Sequence, residues 1–167
     1  MAGRMTVLGA ENFTLTTTIL NLALISTAAA GSAAARVKIK RVEISQRGTS
    51  TLQMIGGFFS TQTGTTVTAT STTPVPIGPL GSAASGLSGN TSPFGGTARS
   101  ATNASVNTTP GYTNHHFFDF ANLNGYLWQP TPEQEIEIPA STLWSVRLAA
   151  DPTTLTGWSV SVWLEEC

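Results

Sequence analysis

Charge is what this sequence has least of. Lys, Arg, Asp and Glu make up 10% of its 167 residues, where an ordinary soluble domain carries about 25%. Eight cationic residues in the whole chain are too few for a broad phosphate-neutralising surface, which argues against nucleic acid as a partner. Cysteine is nearly missing as well. The single one, Cys167, excludes an internal disulfide framework. No apolar run reaches the roughly 20 residues that a bilayer-spanning helix needs. Catalytic signatures are also missing: there is no G-x-S-x-G elbow, P-loop, H-E-x-x-H or paired C-x-x-C, so neither an enzyme nor a cofactor or metal protein is expected.

What the chain has instead is hydroxyl groups, 27 Thr and 16 Ser. Such a surface stays soluble but has little charge to hold neighbours apart, which suits a component of an assembly. The few charges are segregated. Residues 1–47 hold six basic and two acidic groups, a balance of +4, and residues 119–167 hold one basic and seven acidic groups, a balance of −6. The two ends can therefore pair within one fold or between copies. The stretch "ILNLALISTAAAGSAAA" (19–35) resembles a signal-peptide core, but Glu11, Asn12 and a Thr run separate it from Arg4. It reads as part of the mature protein.

Alternation with a period of two dominates, and helical periodicity is almost absent. Strands are expected over 13–19, with "LNLALIS" continuing the alternation. In "RVKIKRVEISQR" (36–47), Val37 and Ile39 lie in one phase and Val42 and Ile44 in the other, so a bulge near Lys40 and Arg41 is needed to bring all four to one core. Further strands are expected at 50–62, bent at Gly56 and Gly57, and at 65–70, 115–123 and 126–130. Asn124-Gly125 supplies a hairpin turn, and strands follow at 133–138, 142–149 and 157–166. Residues 1–12 read as an N-terminal arm. Residues 71–112, rich in Pro, Gly, Ser and Thr, read as a long ordered loop anchored by Leu80, Leu87 and Phe94. The expected fold is a single all-β domain, an antiparallel β-sandwich of jelly-roll type.

Both histidines stand together in "TNHHFFDF" (113–120). Neighbouring strand residues point to opposite faces, so His115 and His116 are not expected to share a metal. His115 and Asp119 share a face but lie about 13 Å apart at roughly 3.3 Å per residue. His116 is expected with Phe118 and Phe120 in an aromatic stripe, and His115 with Phe117 and Asp119. Glu133, Glu135 and Glu137 alternate with Gln134, Ile136 and Ile138, as a solvated strand face would, with a partner-facing acidic ridge as the alternative. Trp158 falls on the apolar face of its strand, whereas Trp163 lies opposite and Trp144 is out of phase with Leu143. These last two are candidate partner contacts. So are the cationic side chains Arg36, Lys38, Lys40 and Arg41, together with the loop anchors Leu80, Leu87 and Phe94.

Two segments carry a family resemblance: "RVKIKRVEISQRGTST" (36–51) and "FDFANLNGYLWQPTPEQEIEIPASTLWSVRLAADPTTLTGWSVSVWLEE" (118–166). The motifs are a basic strand ending in I-S-Q-x-G-T-S, an N-G-aromatic turn leading to P-T-P-E, and a terminal T-G-W-S-x-x-x-x-x-E-E strand. With them, about 65 residues of the chain resemble the small jelly-roll decoration, or cement, proteins of tailed-bacteriophage heads. The resemblance implies a structural virion protein on the capsid surface. It would bind the major capsid protein, use an arm and a loop to reach across capsomer seams, and assemble as a homo-oligomer, with a trimer favoured. A tail- or spike-associated glycan-binding module using Trp144 or Trp163 is the alternative, and a hydrolase with His115 or His116 as base is a third reading.

Overall fold

A computed structural model describes residues 4–15, 21–27, 36–48, 51–63, 75–77, 97–100 and 113–166. The described part is built from eleven strands: β1 (Arg4–Phe13), β2 (Asn21–Ser26), β3 (Val37–Gln46), β4 (Met54–Thr63), β5 (Val75–Pro76), β6 (Thr97–Ser100), β7 (Thr113–Ala121), β8 (Tyr126–Trp128), β9 (Ile136–Ile138), β10 (Thr142–Leu148) and β11 (Trp158–Glu166). One turn of 3-10 helix, Pro132–Gln134, precedes β9. None of the described helical structure is long and apolar enough to cross a membrane.

Every pairing is antiparallel, and the long strands pair in nested order: β1 with β11, β2 with β10, β3 with β8 and β9, and β4 with β7. The first half of the chain thus lies along the second half as one long hairpin. Two further pairings, β11 with β3 and β10 with β4, roll that ribbon into two sheets, β5-β1-β11-β3-β8 and β6-β2-β10-β4-β7. This is the jelly-roll sandwich expected from the sequence. Its core lies between the sheets and is filled by alternate residues of each strand, including Leu8, Ile39, Val42, Ile44, Phe59, Trp144, Trp158, Val160, Val162 and Leu164.

The bulge in β3 lies where the phase change requires it. Arg41 opposes Trp163 and Ile39 opposes Leu164, so Lys40 is the extra residue, and Val37, Ile39, Val42 and Ile44 all reach the core. Gly125, between β7 and β8, sits at φ +72°, a region that costs glycine little.

Four expectations are corrected. Residues 4–12 are not a free arm: they belong to β1, hydrogen-bonded to β11 on one side and to β5 on the other. The 71–112 segment is not one unbroken loop, since it contributes β5 and β6 to the two sheets. Asn124-Gly125 does not close a hairpin: the hydrogen-bonded turn is 121–124, and it carries the chain from β7 in one sheet to β8 in the other. Glu133 and Gln134 lie in the 3-10 turn, and β9 begins at Ile136. The strand expected at 65–70, most of that expected at 13–19, and the anchors Leu80, Leu87 and Phe94 lie outside the described residues.

Candidate functional site

The outward face of the first sheet carries the charges. The β3–β9 register sets Lys38 against Glu137, and the chain's oppositely charged ends meet there within one molecule. Arg36 pairs with Glu137 at 3.1 Å. Lys40, pushed outward by the bulge, reaches Glu135 at 2.5 Å and Glu165 at 3.0 Å. Hydrogen bonding to Glu135 raises the Lys40 pKa above its ordinary value; burial opposes this, and Glu165 adds to it. Arg41 pairs with Glu43 and lies 4.8 Å over the Trp163 ring. Glu135 and Glu137 are therefore ion-pair partners; Glu135 is half-buried, whereas the expectation of a solvated face holds for Glu137, which is exposed, and for Glu133. That carboxyl is exposed and is held below its usual pKa by hydrogen bonds from its own backbone and from Thr131.

The tryptophans divide differently from the expectation. Trp163 lies outward as expected, half-buried beneath Arg41. Trp144 is fully buried at 0% exposure, 5.6 Å from Phe59, so its role as a surface contact is withdrawn. The sequence reading took Leu143 as the core phase of β10. In the fold Trp144, Val146 and Leu148 point inward, and Leu143, though buried, lies outside the main core. A glycan-binding site thus keeps only one of its two aromatics, and a cation already covers that one.

The histidines are brought together rather than set apart. Phe59 of β4 opposes His116, and the next residue, Ser60, opposes Asn114, which leaves His115 as an extra residue in β7. A bulge of this kind turns two successive side chains toward one side. Both imidazoles accordingly line one cleft of about 280 Å³, with Trp128, Gln134 and Ile136. His115 Nε2 lies 2.6 Å from the Thr61 hydroxyl, and His116 Nε2 lies 2.8 Å from the Tyr126 hydroxyl. Burial lowers the His116 pKa and pushes Tyr126 up to about 12. A phenol that keeps its proton can donate to Nε2 of a neutral imidazole. Asp119 lies on the outward face opposite Gly56 and does not join the pair. Among the described residues no group of three or more His, Cys, Asp or Glu side chains is placed to hold a metal ion.

Two features escaped the sequence reading. The first is an exposed apolar patch. On the outward face of the second sheet Phe117 is 69% exposed and Met54 66% exposed, and Leu52 and Leu123 stand out from the adjoining turns. Phe58, between Phe117 and Arg147, completes it. The exposure of "MIGGFF" and "HHFFDF" residues on the outward phase is legible once the strands are phased, because Met54, Phe58 and Phe117 alternate with core residues. The second feature is a buried knot at the same end. Asn122 accepts from the Gln53 amide and donates to Gln46 Oε1 and the Thr51 carbonyl, and Gln46 donates to the Thr154 carbonyl. It fixes the turns that present Leu52 and Leu123, and no pattern in the sequence marks it.

No family model, curated protein or solved structure matches this chain.

Proposed function

We propose that this protein is a structural component of a virion, a decoration protein that binds the outer face of a phage capsid and stabilises the shell. The observation that carries this reading is the character of the exterior. The cations Arg36, Lys40 and Arg41 are neutralised internally by Glu137, Glu135, Glu165 and Glu43, while the large apolar side chains of Leu52, Met54, Ile77, Phe117, Leu123 and Leu127 are exposed. Exposed apolar groups with little net charge around them favour protein contact over solvent. The Asn122 knot holds part of that surface in one conformation before a partner arrives, which lowers the entropic cost of docking. The strand-ending motifs shared with phage decoration proteins support the same reading, and the major capsid protein is the partner they imply. Repetition over a shell multiplies weak individual contacts into firm attachment. A homo-oligomer, a trimer for preference, would add to that valency.

The test is to add purified protein to capsids that lack it, then heat or osmotically shock the particles. The reading expects saturable binding and a higher rupture temperature, both reduced when Phe117 and Met54 are replaced by Asp. An absence of binding and an unchanged rupture temperature would remove it.

A further inference from the structure

His116 joins the two sheets at their open edge. It belongs to β7, the outermost strand of one sheet, and bonds the hydroxyl of Tyr126 on β8, the outermost strand of the other. Its ring is stacked on Phe59 at 5.1 Å and tilted against Trp128 at 5.7 Å. The cleft of about 280 Å³ opens beside it, with Gln134 and Ile136 as further lining.

The groups that face His116 include no anion among the described residues. β4 presents Phe59 and, at His115, Thr61; β8 presents Tyr126 and Trp128; the 3-10 turn and β9 present Gln134 and Ile136; β7 itself adds His115. Glu135 and Glu137 are engaged with Lys40 and Arg36, Glu133 is exposed, and Asp119 is on the outward face of β7. Tyr126 keeps its proton up to about pH 12. An imidazolium at this position gains aromatic faces but finds no counter-charge, and burial already disfavours it. Water drawn into the cleft is the remaining source of solvation.

The element that yields to that water is the one held least. β8 and β9 are three residues each, and among the described residues both pair only with β3, whereas β7 pairs with β4 along most of its length. Local opening draws on such weakly held edges rather than on the core. We propose that His116 is a proton-operated clasp: when the imidazole takes up a proton, residues 126–138 loosen from the β7 edge and the cleft floods, while the rest of the sandwich stays folded. This device is independent of the capsid reading, since it needs only the fold.

Hydrogen–deuterium exchange on the full chain tests it. Peptides covering 126–138 are compared at pH 7.5 and 5.5, with rates corrected for intrinsic exchange, in the wild type, His116→Gln and His115→Gln. The clasp predicts that acidification lowers protection of this segment in the wild type and in His115→Gln. β11 keeps its protection, and His116→Gln shows no such response. Equal protection at both pH values in the wild type, the same acid response in His116→Gln, or loss of β11 protection in step with 126–138 would overturn it. Should His116→Gln fail to fold, the wild type decides: the NMR titration midpoint of the His116 ring must coincide with the midpoint of the exchange change, and a mismatch refutes the clasp.

Discussion

Gly57 lies where β4 passes against the Phe118 ring, and a Cβ there would collide with that ring and stand 2.6 Å from the Arg147 carbonyl oxygen. Neither backbone nor ring can give way cheaply in a filled core, so Gly57→Ala is expected to cost about 1–3 kcal/mol in urea unfolding, the usual range for overpacking. Asn122 is the polar counterpart. Its replacement by Ala strands the Gln53 amide and the Gln46 side chain in a buried site, at a cost of about 1–3 kcal/mol. Lys40 gives a pH signature. Its pKa is raised in the fold, so the stability it contributes is complete below its ordinary value of 10.5 and is lost as the pH rises through the raised one. Lys40→Met should remove that alkaline loss of stability, a change visible as a flattened melting-temperature profile above pH 10. At this scale the sequence was legible where the phase of a strand was unambiguous, as at Trp158. It misled at Trp144, where Leu143 and Leu148 offered competing phases and only the sheet partner chose between them.

Among the elements, β1 and β7 were read least well, for different physical reasons. "RMTVLGAENF" is poor in β-branched residues and contains Gly9 and Ala10, so local propensity gives no strand. The ladder with β11, in which Leu8 opposes Val162 and Ala10 opposes Val160, imposes one. Removing residues 1–13 is therefore expected to leave a chain without a cooperative thermal transition, because the β11 edge loses its partner strand and the core loses Leu8 and Phe13. A free arm would leave the melting curve intact. In β7 the core phase of "HHFFDF", His116, Phe118 and Phe120, runs unbroken, so nothing local signals a bulge, and the extra residue at His115 arises from registry with β4. The β3 bulge could be foreseen because there the apolar pattern itself breaks phase. The ion pairs between residues 36–40 and 135–165 were foreseeable only as a sum of opposite charges, since which strands meet depends on pairings across most of the chain.

For the whole molecule, nested pairing brings the N- and C-terminal strands together at the centre of one sheet. It leaves the turns at one end free to present Leu52 and Leu123, close to the apolar patch of Phe117 and Met54 on the second sheet. The fold class was legible from period-two alternation and turn signals alone. The exposed apolar face was legible only once the strands were phased, because Met54, Phe58 and Phe117 take the outward phase of β4 and β7. The capsid reading turns on where this molecule resides, and the most direct measurement is a cryo-electron microscopy reconstruction of intact particles with and without the protein. The account predicts jelly-roll density on the shell exterior, with the Phe117 and Met54 face turned toward the shell or a sister subunit, and none there when the protein is absent. Density confined to the tail or the interior, or an unaltered shell exterior, would contradict it.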